Sequence, residues 1–370
     1  MPSRRSAFLL AFSLISLPSA FAQTPAYKDP SLPAEKRIDN LLSLMTLDEK
    51  IDCLSTKTGV PRLGVPNFGS SEGIHGVVQR RSDYTHTPIP TTQFPQPPGL
   101  GESWDPALVR EAAHVEGYEA RYITQTPHYE RQILQLWGPQ SDLARDPRWG
   151  RSEEVYGEDP FLNGTMAVAF IHGLQGDDPK YWLSAALLKH FLANSNEDHR
   201  TKSNSVFDDR LFWEYYSVPF RMGFQDGGAT GVMASYNAWN GTPMAVNPVL
   251  KSILRDKWGV EILSSDGGAV KLLWTDHKRY PDQKAAVIAC LHAGINQFLD
   301  TYKDEAHAAL KDGTLTQADI DAVLRLKYRV TIKLGLLDPP SLEITSTPHL
   351  SRMMLLRMGL TAIGVPFQAL

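Results

Sequence analysis

Asp266 is the residue in this sequence whose type and setting best suit chemistry on a substrate. It follows the short run 260–263, in which Val260, Ile262 and Leu263 are apolar, and then two serines, and it precedes the pair Gly267-Gly268. A short apolar run bounded by turn residues is typical of a buried strand. A carboxylate just past the carboxyl end of a strand lies on the active-site face of an α/β barrel, where it suits a nucleophile. The alternative is that Asp266 caps the helix that follows.

Other polar side chains also follow predicted strands. Because the carboxyl ends of parallel strands meet at one face of a barrel, we expect these groups to converge there. Convergent cations and hydrogen-bond donors would favour the ionised form of Asp266. The residues in question are Glu72, Arg151, Lys189, His190 and Tyr236.

Each of these residues also has a purely structural interpretation. Arg151, like Arg148, could pair with nearby acids such as Glu154 to hold a loop. Lys189 and His190 could begin a solvated loop, and Tyr236 could be a core aromatic whose hydroxyl has found a partner.

Metal chemistry has no support in the spacing of residues. His75, His190 and His199 lie in no His-x-His or His-Glu-x-x-His pattern. The sequence contains no glycine-rich phosphate-binding turn. We therefore expect carboxylate chemistry without a metal or cofactor.

The elements that must position these residues alternate between strand and helix. Helices are predicted at 33–44 and 46–54, and N-caps followed by proline at Asp105, Asp159 and Asn247. Another helix begins at Asp208, with Leu211, Tyr215, Val218 and Met222 as its predicted buried stripe. Strands are predicted at 65–68, 92–94, 133–137, 185–188, 231–235, 260–263 and 295–299. The alternation and length favour a TIM-type (β/α)8 barrel over a doubly wound sheet.

The chain ends suggest a leader, one barrel domain and a tail. Arg4 and Arg5 precede an apolar run, and Ala20-Phe21-Ala22 resembles a signal-peptidase site, so 1–22 is predicted to be a signal peptide. Residues 23–337 form the predicted barrel and 338–370 an atypical tail. We expect export to the periplasm or the extracellular space, with no membrane span.

Composition narrows the class of partner. The chain has 370 residues, a formal net charge of −4 and 42% hydrophobic residues, which fits a globular enzyme and argues against nucleic acid or an anionic membrane. Its two cysteines make no disulfide framework.

Four segments resemble the signature segments of glycoside hydrolase family 3, in the family's order and spacing. They are Asp146-Pro-Arg-Trp-Gly-Arg151, Lys189-His-Phe191, Val232-Met-Ala-Ser-Tyr-Asn237 and Ser265-Asp266-Gly-Gly-Ala269. The resemblance covers about 29 to 337.

The resemblance implies an exo-acting retaining β-glycosidase that acts on oligosaccharides or glycosides. The family's nucleophile maps onto Asp266, and its sugar-binding residues map onto Glu72, Arg151, Lys189, His190 and Tyr236. A Glu at position 72 resembles the β-xylosidase branch, whereas many β-glucosidases of the family have Asp there. Gly267 departs from the Trp or Cys that most members carry, which would open one wall of the sugar pocket.

The family's acid/base is usually a Glu in a second α/β domain, and no such domain follows Leu337 in this sequence. We therefore expect a truncated or frame-shifted product, with a sugar-binding remnant as one alternative function. A β-N-acetylglucosaminidase-like enzyme is the other. In that branch an Asp-His pair on the barrel acts as the acid, and Asp198-His199 lies in a comparable place. The branch's Pro-Gly-His-Gly segment is missing here.

Overall fold

The computed structural model describes residues 24–78 and 89–339. The predicted signal peptide lies outside these residues, as does the predicted tail beyond residue 339. No helix within the described ranges is both long enough and apolar enough to cross a bilayer.

Helices make up most of the outer layer. They are α1 (Ala34–Leu44), α2 (Leu47–Asp52), α3 (Pro97–Gly101), α4 (Pro106–Gln125), α5 (Pro160–Gln175), α6 (Asp209–Leu211), α7 (Val218–Gln225), α8 (Ala269–Thr275), α9 (Gln283–His292), α10 (Lys303–Asp312) and α11 (Gln317–Lys333), with π-helical turns at Phe212–Tyr216 and Leu250–Arg255.

The helix starts predicted at Asp105 and Asp159 are confirmed by their hydrogen bonds. Asp105 Oδ1 accepts from the backbone N–H groups of Ala107 and Leu108, at 3.0 and 3.1 Å, and Asp159 Oδ1 accepts from Leu162 N at 2.7 Å. Each cap is followed by proline, whose missing N–H needs no partner in the first turn of a helix. These signals are local, which is why the sequence alone reveals them.

The strands are β1 (Ser70–Glu72), β2 (Gln135–Trp137), β3 (Ala185–Phe191), β4 (Asn204–Ser205), β5 (Gly231–Ala234), β6 (Ala238–Trp239), β7 (Thr242–Pro243) and β8 (Ile262–Ser264). Strands β1, β2, β3, β5 and β8 pair in that order, all parallel, in a five-stranded sheet. Strands β4, β6 and β7 form a small separate sheet after β3. Consecutive parallel strands joined by helices give the predicted TIM-like barrel.

Single bridges continue the main sheet beyond β8. Ser264 pairs with Gln297, and Phe298 pairs with Ser55, both in parallel. The buried ammonium of Lys327 on α11 donates to three backbone carbonyls, those of Cys53 and Asn296 at 2.8 and 3.3 Å and that of Ser55. A cation on a helix therefore joins two segments that the sheet holds by single bridges.

The barrel interior is filled by side chains and is no pore. Residues from successive strands pack there against Val330 and Leu334 near the end of α11. The strand residues of this cluster are Ala185, Leu187, Met233 and Ile262, and Leu134 joins them from the position just before β2.

Some predicted elements were wrong. The first strand is Ser70–Glu72, so Glu72 ends it and does not follow 65–68. Segment 92–94 is no strand, because Thr92 N donates to the Glu119 carboxylate and Phe94 N to the His75 carbonyl. Segment 295–299 contributes only the bridges described above.

The predicted buried stripe of the helix after Asp208 was also wrong. Leu211 is 45% exposed, whereas Phe212, Phe220 and Phe224 are buried. Ser217 N donates to Phe212 O, five residues back, which is π-type bonding. The wider turn shifts the register of the stripe.

Glu116 provides a test of how the helical layer depends on pH. It is buried on α4, and burial together with the neighbouring Glu119 raises the pKa of its carboxyl to about 8. The folded state therefore holds a proton there that the unfolded chain loses at lower pH, so stability should fall as pH rises from about 4.5 toward 8. At about 1.36 kcal/mol per pKa unit, the effect is on the order of 5 kcal/mol.

We predict that Glu116→Gln removes most of this pH dependence, since a neutral amide replaces the neutral acid. Urea unfolding at pH 5 and pH 8 would measure it. Glu111→Gln, an exposed change on the same helix, is the matched control. An unaltered slope in the Glu116 variant would contradict the assignment.

Candidate active site

A cleft of about 420 Å³ opens at the carboxyl ends of β1, β2, β3, β5 and β8, and we call it the Asp266 cleft. Its walls include all six residues that the sequence singled out, which are Glu72, Arg151, Lys189, His190, Tyr236 and Asp266. Trp137, Glu153, Glu154 and Arg200 line it as well. The structure thus brings the predicted site residues together.

Asp266 lies two residues beyond β8, with its side chain 15% exposed. Its Oδ1 accepts from the backbone N–H of Gly267 at 2.7 Å. The Tyr236 hydroxyl donates to the Gly267 carbonyl at 2.7 Å, which ties the turn after Asp266 to the end of β5. Burial, and then the charge of Asp266, raise the pKa of Tyr236, so its phenol remains a donor.

Lys189 and Glu72 form an ion pair across the Asp266 cleft. The Lys189 ammonium donates to Glu72 Oε2 at 2.5 Å, and the lysine side chain is only 3% exposed whereas that of Glu72 is 49% exposed. A buried ammonium needs such a partner. The pair therefore presents one fixed donor and one fixed acceptor at the ends of β3 and β1.

Arg151 makes a bidentate pair with Glu154, with both N···O distances at 2.6 Å. Burial alone would raise the pKa of Glu154, but the hydrogen-bonded guanidinium outweighs it and the pKa is lowered. Arg151 thus pairs with Glu154, as the structural interpretation expected. The same guanidinium also lines the Asp266 cleft. Arg148 is 88% exposed, pairs with Asp146 and only holds its loop.

His190 is buried and neutral. Burial lowers its pKa to about 3, although the nearby Asp266 opposes the shift. Its Nε2 lies 3.5 Å from Arg151 Nη1 and 3.8 Å from Asp266 Oδ2. Since a guanidinium only donates, we assign the lone pair to Nε2 and the proton to Nδ1, which faces Asp142 Oδ2 at 3.5 Å.

Asp142 is a residue that sequence reasoning missed. Its carboxylate is buried and accepts from the backbone N–H groups of His190 and Asn194, at 3.0 and 3.3 Å. Burial raises the pKa of Asp142 to about 6. The pairing of β3 with β5 shifts register between Leu188 and Phe191, a bulge of the kind that re-aims side chains beside active sites. The sequence signal that could have identified Asp142 is its position five residues after β2.

Arg200 is the second residue that was missed. Its guanidinium lies 5.1 Å from the centre of the Tyr236 ring, and its Nη1 lies 3.1 Å from Glu197 Oε2. Glu197 in turn accepts from the indole N–H of Trp149 at 3.1 Å. The neighbouring pair Asp198 and His199 is exposed and is not part of the cleft walls.

The described residues hold no group of three or more His, Cys, Asp and Glu side chains arranged to bind a metal ion. Cys53 and Cys290 are free and buried. The Asp266 cleft places a carboxylate among fixed donors and acceptors, an arrangement suited to a ligand with several hydroxyl groups.

Comparison with known proteins agrees with this chemistry. The family description "Glycosyl hydrolase family 3 N terminal domain" matches residues 32–330. A probable exo-1,4-beta-xylosidase of Aspergillus terreus is 34% identical over 91% of this chain and 47% of its own length. A xylan 1,4-beta-xylosidase of Xylanibacter ruminicola is 33% identical over 89% of this chain and 39% of its own length.

Solved structures give the same result. A family 3 exo-beta-xylosidase in complex with a xylobiose aziridine probe superposes with a TM-score of 0.81 and 27% identity, over 92% of this chain and 45% of that one. A β-glucosidase of Erythrobacter marinus gives a TM-score of 0.73 and 25% identity, over 90% and 49%. The chain spans less than half the length of the curated relatives named above. On the extent of these matches, the chain belongs to glycoside hydrolase family 3 and contains the family's N-terminal barrel domain.

Proposed function

We propose that this chain is the barrel of an exo-acting retaining β-glycosidase that removes terminal β-D-xylosyl or β-D-glucosyl residues from oligosaccharides. The observation that carries the proposal is the convergence of Glu72, Arg151, Lys189, His190, Tyr236 and Asp266 on one cleft. The relatives described above, which are β-xylosidases and a β-glucosidase, support the substrate class.

In the proposed reaction the Asp266 carboxylate attacks the anomeric carbon. The bond from that carbon to the leaving oxygen breaks as the new C–O bond to Asp266 forms, and a water later hydrolyses the glycosyl-enzyme with net retention. Asp266 suits this role because its Oδ1 is anchored by Gly267 N, while its other oxygen faces the cleft beside His190.

The surrounding groups would bind the hydroxyls of the terminal sugar. Lys189 and Arg151 donate, the Glu72 carboxylate accepts, and the neutral His190 offers the Nε2 lone pair. Lys189, Glu72 and Arg151 are already held by partners within the protein, and His190 is buried, so little side-chain order remains to be imposed when the sugar binds. Such fixed dipoles can stabilise charge that develops in the transition state.

We also propose the domain limits and the location. The barrel domain would run from 23 to 337, consistent with the family match at 32–330. The Arg4-Arg5 start, the apolar run and Ala20-Phe21-Ala22 favour a cleaved leader and export.

The first prediction concerns the nucleophile. We predict that Asp266→Asn reduces kcat for an aryl β-xyloside by at least about 10⁴-fold, the scale on which loss of a catalytic nucleophile acts. A 2-deoxy-2-fluoro glycoside inactivator should add its mass to the peptide that contains Asp266. Asp198→Asn, an exposed change outside the cleft walls, is the control and should retain activity. Labelling of another peptide would refute the role of Asp266.

The second prediction concerns the sugar. Glu72→Asp withdraws the carboxylate from Lys189 by one methylene and lengthens the pocket on that side. The ratio of kcat/KM for glucoside over xyloside should rise by about tenfold, a typical effect of one methylene in a fitted pocket. Glu153→Asp shortens another carboxylate of the cleft, one that does not pair with Lys189, and should leave the ratio unchanged. Equal ratios in both variants would show that the Glu72 side chain does not select the sugar.

The third prediction concerns the leaving group. Among the described residues the cleft carboxylates are Glu72, Glu153, Glu154 and Asp266. Glu72 is paired with Lys189, and Glu154 is paired with Arg151, whose guanidinium lowers the pKa of Glu154, so neither is placed to protonate a leaving oxygen. An activated dinitrophenyl glycoside should therefore exceed xylobiose in kcat/KM by about 10²- to 10⁴-fold, the usual contribution of a positioned acid.

Azide should then accelerate turnover of the activated substrate, because it attacks the glycosyl-enzyme without a general base. Steady-state rates with and without azide would measure this. Rapid xylobiose hydrolysis that Glu153→Gln abolishes would instead assign the acid to Glu153 and overturn the prediction. Rapid hydrolysis unaffected by that change would direct attention to Asp198 and His199.

A further inference from the structure

A second cleft begins where the Asp266 cleft ends, and we call it the glycine cleft. It has a volume of about 510 Å³ and shares Arg200 and Tyr236 with the Asp266 cleft. Gly267 and Gly268, which directly follow Asp266, form part of its wall. The hydrogen bond from Tyr236 to the Gly267 carbonyl therefore lies at the boundary of the two clefts.

The type of residue at position 267 leaves this space open. A Cβ atom built on Gly267 would meet no atom within 4 Å, so a larger side chain would project into free volume. Gly268 has a φ of +73°, which favours glycine there on backbone grounds alone. Gly267 carries no such backbone requirement, and its missing side chain decides how open this wall is.

The lining of the glycine cleft carries more cationic side chains than anionic ones. Lys271 and Arg200 contribute cations, and Asp276 contributes the carboxylate of the lining. Hydroxyls already occupy both oxygens of Asp276, from Thr275 at 2.7 Å and from Thr201 at 2.8 Å, and these bonds lower its pKa. Arg200 is shared with Glu197.

Lys271 lies on the exposed side of α8, and no carboxylate of the described residues lies within ion-pair distance of its ammonium. Among the cations of this cleft, it is the one that has no ion-pair partner within the described part of the chain. Its solvated ammonium is available to an anionic group that enters from the side of Asp266.

We propose that the glycine cleft receives the leaving-group part of the substrate and favours one that carries a carboxylate, such as a sugar acid, through Lys271 and Arg200. The assignment to the leaving group rests on the proposed function, since the sugar under attack occupies the Asp266 cleft. The preference for a carboxylate rests on the charges of the glycine cleft alone. The two parts can therefore fail separately.

Calorimetric titration with matched probes tests the proposal. The probes are 4-carboxyphenyl β-D-xyloside, its methyl ester, and free 4-hydroxybenzoate. The acid should bind about two- to fivefold more tightly than the ester, which is the range of an exposed ion pair. The preference for the acid over the ester, measured at low salt, should shrink when the salt concentration is raised to about 0.15 M, where the Debye length is ~8 Å.

Single substitutions test whether the preference for the acid depends on the residues of the glycine cleft. Lys271→Gln should remove most of the preference for the acid, because the remaining cation Arg200 is shared with Glu197, and Lys36→Gln, an equal charge change at an exposed site on α1, should preserve it. Gly267→Phe should weaken binding of both xylosides and of free 4-hydroxybenzoate, because the ring fills the cleft.

Equal binding of acid and ester by the unaltered protein would overturn the proposal, and so would equal losses in Lys271→Gln and Lys36→Gln. If 4-hydroxybenzoate binds in a way that depends on Lys271 but the neutral ester does not bind, the carboxylate site is supported. The same result contradicts the proposed glycosidase function. Binding of the neutral ester without a preference for the acid would be consistent with the proposed glycosidase function, but it would contradict the proposed carboxylate preference.

Discussion

The buried carboxylate of Asp142 determines the geometry of the cleft, because it accepts from the backbone N–H groups of His190 and Asn194 just at the end of β3. An uncompensated carboxylate in this position would be costly, since burial already raises its pKa to about 6. The backbone must therefore bend toward it. The bend places Lys189 and His190 on the wall of the same cleft, although neighbouring residues of a regular strand face opposite sides.

Once these side chains share a cleft, their charges constrain one another. Lys189 is neutralised by Glu72 and Arg151 by Glu154, whereas His190 avoids charge altogether because burial lowers its pKa to about 3. Ion pairs add little net stability whether they are exposed or buried, so these partly buried pairs are better explained by the orientation they impose. Asp266, in contrast, has backbone and a neutral ring as its near neighbours, which leaves its oxygen available for bond formation.

Sequence reasoning found what local chemistry encodes. The caps at Asp105 and Asp159 and the polar residues at strand ends depend on neighbours a few positions away, and so does Asp266. Sequence reasoning failed for features that depend on residues far away in the chain. The first strand is displaced to Ser70–Glu72 by its pairing with β2, and a π-turn shifts the stripe after Asp208. Asp142 was missed because its partners lie about fifty residues on, at the end of β3.

The two sides of Asp266 differ in how firmly they are built. On the side of β1 and β3, ion pairs and backbone hydrogen bonds fix each group, so a substitution there disturbs several partners at once. On the side of Gly267, the wall is open space next to solvated cations. A change at Gly267 or Lys271 alters few existing contacts, and such sites usually change stability by less than about 0.5 kcal/mol. Selectivity for the leaving group can thus vary while the machinery that holds the sugar stays constant.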